Sequence, residues 1–263
     1  MDKKIKETTE TGLKILQITA EHGYITAKEI EQITGTERSA FKYINTMNDV
    51  EGYLEYFMTG LKPMKAFYLT RKGADVLSRA GCFRVASLFK GSCDFGGSEF
   101  FHNRAIIQAR LCIEKHPSFA DIETPRVLLA RVGDVAGLKP DAEIKYSDKI
   151  GGETREFRAA LEVELHPKWH KRNILKMKVY DRKTRIGKDN NGYERFSDLS
   201  YIDNVIWVCN DQVTIDALCR AVKESRVMET SKHHFLTLSE LLEKGPVDCS
   251  VMNYLGCECG LFS

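Results

Sequence analysis

Long apolar runs are absent from this chain of 263 residues. No stretch approaches the ~18 consecutive apolar residues that a membrane span requires. Proline is scarce, at six residues, and tryptophan scarcer, at two; no internal repeat or low-complexity tract is present. Hydrophobic residues at 43% and charged residues at 29% are an ordinary globular balance, which excludes intrinsic disorder and collagen-like structure. The opening residues Met1-Asp2-Lys3-Lys4-Ile5-Lys6-Glu7 offer no apolar core for a secretory leader, so a cytoplasmic location is expected. The eight cysteines lie mostly in apolar stretches and read as reduced thiols used as small hydrophobes. Cys249, Cys257 and Cys259 cluster, but no second Cys/His pair follows at zinc spacing.

An excess of one charge is also lacking: 39 basic residues against 37 acidic ones give +2. The placement is uneven. Lys168, Lys171, Arg172, Lys176, Lys178, Arg182, Lys183, Arg185 and Lys188 face Asp181 alone between Leu165 and Lys188, a local charge of +8 that leaves −6 for the rest. A dense basic segment on an acidic body is a focused field and suits a phosphate-bearing partner.

The length fits one large domain or two small ones. Near the start, Leu13, Ile15, Leu16 and Ile18 stripe a helix ending at His22-Gly23. Thr26 with Glu29 forms a capping box, Ile30 and Ile33 face inward, and Gly35 closes the second helix. Thr36 caps a third, in which Phe41, Ile44 and Met47 are expected to be buried. Two strands, Tyr53–Phe57 and Ala66–Leu69, flank a turn at 59–63. Leu69-Thr70-Arg71-Lys72-Gly73 then leads into a further helix, and the order over residues 10–80 resembles winged-helix DNA-binding domains. That resemblance implies that Arg38, Ser39, Lys42, Tyr43 and Asn45 contact DNA from the third helix. A protein-docking role is the alternative.

Beyond residue 101 the reading alternates: a helix at 102–115, strands at 126–132, 142–146 and 157–165, a helix at 169–183, a strand at 204–209, a helix at 214–225, a strand at 234–238 and a short helix to 244. This is a mixed α/β sandwich. Leu161-Glu162-Val163-Glu164-Leu165 puts Glu162 and Glu164 on one face of a strand with apolar flanks. Buried acids so placed need a counter-charge, and a hard divalent cation, Mg²⁺ or Mn²⁺, suits them. Asp141, opening the preceding strand, is a third candidate ligand. The bland alternative is a wet sheet face balanced by the basic segment.

Pro140-Asp141 followed by Glu162-x-Glu164 and a basic helix resembles the PD-(D/E)xK nuclease superfamily. Glu164 stands where that superfamily usually has lysine; variants carry the lysine on the next helix, where Lys176 and Lys178 are available and Lys176 shares a face with Tyr180. A helix led by His102, then Lys139-Pro140-Asp141-Ala142, the Glu-x-Glu strand and a Lys-x-x-x-Tyr helix resembles, over about residues 10–225, the replication–relaxation proteins. These include the MobC-type relaxases of mobilisable plasmids. The resemblance implies a winged helix-turn-helix (1–80), a linker (81–101), a restriction-endonuclease-like mixed sheet flanked by helices (102–245) and a tail (246–263). It also implies metal-dependent nicking at a plasmid transfer origin, with an accessory relaxosome protein and a coupling protein as partners. Asp141, Glu162, Glu164, Lys176, Lys178 and His102 would serve catalysis. Lys168, Lys171, Arg172, Arg182, Lys183 and Arg185 would grip DNA. A non-catalytic DNA-binding regulator or replication accessory, and restriction-type cleavage of foreign DNA, are the competing readings.

Overall fold

Local signals set the first elements. In this computed structural model the described residues are 8–59, 64–89, 97–127, 138–150, 152–166, 170–188, 191–228 and 230–262. Helix α1 (Glu10–His22) ends at Gly23, whose φ of 89° is the left-handed C-cap that glycine adopts without strain. After strand β1 (Ile25–Thr26), helix α2 (Ala27–Thr34) begins with the expected capping box, Glu29 Oε2 accepting the Thr26 backbone N–H at 3.0 Å. Thr36 caps α3 (Glu37–Ile44), which runs on into a π-helical stretch, Asn45–Val50. The inward face there is Ala40, Ile44 and Met47, at i, i+4 and i+7, so Phe41 lies one step round the helix and is exposed, contrary to its expected burial.

Strands β2 (Leu54–Met58) and β3 (Lys65–Leu69) pair antiparallel, and β1 adds to β3. Of the turn expected at 59–63, residues 60–63 lie outside the described residues; Thr59 donates its N–H to the Met64 carbonyl at 3.2 Å. Thr70 then caps α4 (Arg71–Arg79), accepting from the Gly73 N–H at 3.2 Å and donating its hydroxyl to the Gly52 carbonyl at 2.7 Å. The segment expected as a linker contains helix α5 (Phe83–Ala86) and the start of α6 (Gly97–Ile113). These elements belong to one compact unit, Met1–Ile107 with Arg126–Gly133.

The second unit, Gln108–Pro125 with Asp134–Ser263, holds the end of α6 and a mixed seven-stranded sheet. Strands β4 (Phe119–Glu123), β5 (Ala142–Ile150) and β6 (Glu153–Glu164) form an antiparallel meander. Helix α7 (His170–Asp181) and a separate hairpin, β7 (Thr184–Lys188) with β8 (Glu194–Ser197), lead to β9 (Asn204–Cys209), which pairs parallel with β6. Helix α8 (Gln212–Ser225) leads to β10 (His233–Thr237), parallel to β9; helix α9 (Leu238–Asp248) and strands β11 (Val251–Asn253) and β12 (Glu258–Cys259) complete the edge.

Three expectations are corrected in this unit. The strand expected at 126–132 is not one where it is described: Pro125–Val127 are helical, proline's fixed φ suiting a first helical turn, and Leu128–Val132 lie outside the described residues. The first strand is instead Phe119–Glu123. The residues expected as a tail add two strands to the sheet, and Phe262 stacks on Tyr146 with ring centres 4.4 Å apart. The helix expected to reach Lys183 stops at Asp181; Arg182 and Lys183 connect it to the hairpin, whose first strand carries Arg185 and Lys188. Among the described residues no helix is long and apolar enough to cross a membrane.

Gly73 is the glycine that space demands. A Cβ there would meet the Tyr53 carbonyl oxygen at 2.4 Å and a Leu69 methyl at 2.7 Å. Gly73→Ala should therefore destabilise the first unit by about 1–3 kcal/mol, the usual range for overpacking. Urea unfolding followed by circular dichroism checks this; an unchanged midpoint would refute the close packing of α4 on the turn before β2.

Candidate active site

The Glu162–Glu164 strand segment is buried on both faces. From Ala159 to Glu164 every residue of β6 is buried, and Glu162 and Glu164 are each only 1% exposed. The wet-face alternative is thereby excluded. Ala160 pairs with Val205, Glu162 with Trp207 and Glu164 with Cys209. Ala160, Val205, Trp207 and Cys209 pack with Met177, Tyr180, Leu218 and Val222 from α7 and α8, so the two acids lie beneath those helices.

One basic residue meets them there. Lys176 donates from Nζ to Glu162 Oε2 at 2.6 Å and to Glu164 Oε1 at 3.1 Å. One turn on, the Tyr180 hydroxyl donates to Glu162 Oε1 at 2.5 Å. The i, i+4 spacing read from the sequence brings both side chains to the same carboxylate, one to each oxygen. Lys176 is itself buried, its ammonium 5.4 Å from the centre of the Trp207 ring. Trp207 is held in turn by its indole N–H, which donates to His233 Nδ1 at 3.2 Å.

Asp141 stands at the head of β5. Its backbone N–H donates to the Leu161 carbonyl at 3.0 Å, and its Oδ2 accepts the Val163 N–H at 2.8 Å, so it extends the ladder beside the two glutamates. It is half-buried and is the acid of this group nearest to solvent.

The charges are tightly linked. Burial lifts the Glu162 carboxyl above its ordinary range; Lys176 pulls it back, and Asp141 pushes it up again. Burial alone would lower Lys176, but Glu162, Glu164 and Asp141 outweigh it and raise the ammonium above its usual value. Tyr180 is driven well up by burial and then by Glu162. Lys176 therefore stays charged among these carboxylates, while burial and Asp141 favour the protonated form of Glu162 more than in a free carboxyl. Among the described residues no group of three His, Cys, Asp or Glu side chains is positioned to hold a metal ion.

The remaining candidates are scattered. Lys178 is half-buried and lies two residues from Lys176, on the far side of α7. His102 lies on the part of α6 in the first unit and takes no part in the contacts above. Lys171, Arg172, Arg182, Lys183 and Arg185 are exposed, and Lys168 is outside the described residues. In the first unit Arg38, Lys42 and Asn45 are exposed, and Ser39 and Tyr43 are half-buried.

Sequence reasoning missed two acids. Glu143 pairs across β5 with Ala160, placing it on the face that carries Glu162. It is buried, accepting from Arg158 at 2.8 Å and from the Tyr201 hydroxyl at 3.1 Å. Glu123 of β4, also buried, is its register partner on the other side. The alternation Ala142-Glu143-Ile144-Lys145 was the available signal, but it reads equally as an ordinary wet face.

Compared with protein-family models, curated proteins and solved structures, the chain matches none.

Removing the ammonium tests this electrostatic account. Lys176→Met should cost about 3–5 kcal/mol, the range for stranding a buried charge. A carboxyl whose folded pKa is raised is stabilising while protonated and loses that contribution as pH rises through the folded value. The deficit of Lys176→Met in urea unfolding should therefore be larger at pH 8 than at pH 5; the opposite order would refute a surplus of acid at Glu162.

Proposed function

We propose that this protein is a metal-dependent DNA endonuclease that nicks one strand at a plasmid transfer origin, in the manner of a MobC-type relaxase. The observation that carries the reading is the position of Lys176, which reaches both Glu162 and Glu164 from the helix after their strand, beside Asp141. On this reading Lys176 of α7 stands in for the lysine absent from the Glu-x-Glu strand, as in the nuclease variants that carry it on the following helix. The strand order lends support: a meander of three strands, with the next strand parallel to the third, suits a PD-(D/E)xK core. In the first unit, α2, α3 and the β2–β3 pair suit a winged helix, with Arg38, Ser39, Lys42 and Tyr43 toward DNA.

A hard divalent cation prefers carboxylate oxygens, which Asp141, Glu162 and Glu164 carry; in the present arrangement Lys176 and Tyr180 occupy both oxygens of Glu162, so a cation would have to displace one of them. Mg²⁺ or Mn²⁺ bound there would polarise the scissile phosphoryl oxygen and make water acidic enough to attack. Lys176, kept charged by its neighbours, stabilises negative charge growing on the phosphate. Tyr180 fixes the second oxygen of Glu162. Lys171, Arg172, Arg182, Lys183 and Arg185 bind backbone phosphates, which makes affinity fall with salt. An accessory relaxosome protein and a coupling protein are the partners this reading brings, in the cytoplasm.

A second reading has one observation in its favour. Lys176 already neutralises much of the acid charge, as a non-catalytic DNA-binding regulator on a nuclease-like scaffold would need. Supercoiled plasmid carrying the cognate origin separates the two. With Mn²⁺ the protein should produce open circles. Asp141→Ala and Glu162→Gln should lower nicking at least a hundredfold while retaining DNA binding, roughly the scale of losing one transition-state contact. Nicking by these variants at the wild-type rate would refute the site; no nicking with any divalent metal would favour the regulator.

A further inference from the structure

The β7–β8 hairpin pairs with no strand of the large sheet, and its outer face has an unusual composition. Arg185 lies across from Phe196, and Lys188 across from Glu194. Phe196 is 47% exposed, and Tyr193, just before β8, is 73% exposed. The Lys183 ammonium sits 5.5 Å from the centre of the Phe196 ring. Arg185 and Lys188 share Glu194 as their acidic partner, Lys188 at 3.9 Å. Ser197 marks the inner face: buried, it donates its hydroxyl to the Leu138 carbonyl at 3.2 Å. Between residues 182 and 198 five basic residues stand against three acids.

The chain then returns to the carboxylates. Tyr201, four residues past β8, is 52% exposed, yet its hydroxyl donates to the buried Glu143 on the face that carries Glu162. The Arg158 guanidinium lies 5.8 Å from the centre of its ring.

Exposed rings interleaved with cations match a nucleotide unit, the base on the ring and the phosphate on the cation. In duplex DNA the base faces are stacked on one another and cannot meet such rings; in a single strand they are free. We propose that the outer face of β7–β8, with Tyr201, is a track for single-stranded DNA. Bases stack on Phe196 and Tyr201, and phosphates meet Lys183, Arg185 and Lys188. The track takes DNA as the partner from the reading above and adds the state of the strand.

The test is fluorescence anisotropy of the full chain in EDTA, with labelled oligo(dT) and a duplex of equal length. The wild type should bind the single strand more tightly. Phe196→Ala should weaken oligo(dT) binding about tenfold, the scale of one lost base-stacking contact. Phe196→Tyr should bind as the wild type does, and neither change should alter duplex binding more than about twofold. Lys183→Ala with Arg185→Ala should weaken oligo(dT) binding and flatten its salt dependence. Equal losses on duplex and single strand would overturn the proposal. So would a loss on removing the cations with none for Phe196→Ala, the behaviour of a surface for any polyanion, acidic protein included. Because EDTA prevents cleavage, failure of the nicking experiment leaves this result standing, and failure here leaves that one standing.

Discussion

Two glutamates buried side by side on one strand impose the main constraint on the second unit. Removing an ion from water costs several kcal/mol even after relaxation. The attraction of two unit charges about 4 Å apart, at an effective dielectric near 20, is roughly 4 kcal/mol. Lys176 therefore does little more than offset its own burial and part of that of Glu162 and Glu164. What it does fix is register. With Lys176 between the two acids and Tyr180 on the far oxygen of Glu162, α7 can neither slide along β6 nor rotate on it without stranding a charge. The same contact sets what lies on either side: Trp207 beneath the ammonium, His233 holding the indole, and the apolar face of α8 closing the layer. Apolar side chains of similar volume often pack as well, so the cluster fixes geometry more than it adds stability.

Local signals were legible where they closed over a few residues. The Thr26–Glu29 box, the Gly23 and Gly35 caps and the Thr70 cap before Gly73 all formed as read, because each is satisfied by backbone groups within one turn. The core of the candidate site was legible for the same reason: period 2 puts Glu162 and Glu164 together, and i, i+4 puts Lys176 with Tyr180. The counter-charge was anticipated as a metal, with a lysine from the next helix as an accessory; in the fold that lysine is the direct partner of both acids.

Long-range pairing hid the rest. Phe119-Ala120-Asp121-Ile122-Glu123 lacks the apolar run of a strand and becomes one only against β5, while the apolar run at 126–132 looked more strand-like and begins as a helical turn. Glu143 reads as solvent-facing until Ala160 lies opposite and Tyr201 covers it. The last residues read as a tail because their strands are only three and two residues long; β11 pairs with β12 and with β10, and Phe262 stacks on Tyr146, far back in the chain. Phe41 failed differently, since three apolar residues at i, i+3 and i+6 left two possible centres for the buried face, and Ala40 took it.

Charge segregation also changes meaning once the fold is known. The basic segment is a single run in the sequence, but the structure divides it by task. Lys176 is buried and pairs with Glu162 and Glu164, so it is not one of the cations presented to solvent. The exposed cations lie on the first turn of α7 and on the hairpin beyond it. Glu162, Glu164, Glu143 and Glu123 are buried and half-buried Asp141 remains in reach of solvent. The charge of these acids is internal and partly neutralised, so it opposes the field of the exposed cations little. Had the same acids been exposed, their field would oppose the approach of the phosphates that the cations attract. Burial of the glutamates under α7 thus lets a carboxylate cluster and a surface of exposed cations belong to one unit without the acids cancelling the field of the cations, with Asp141 the one acid of the cluster in reach of solvent.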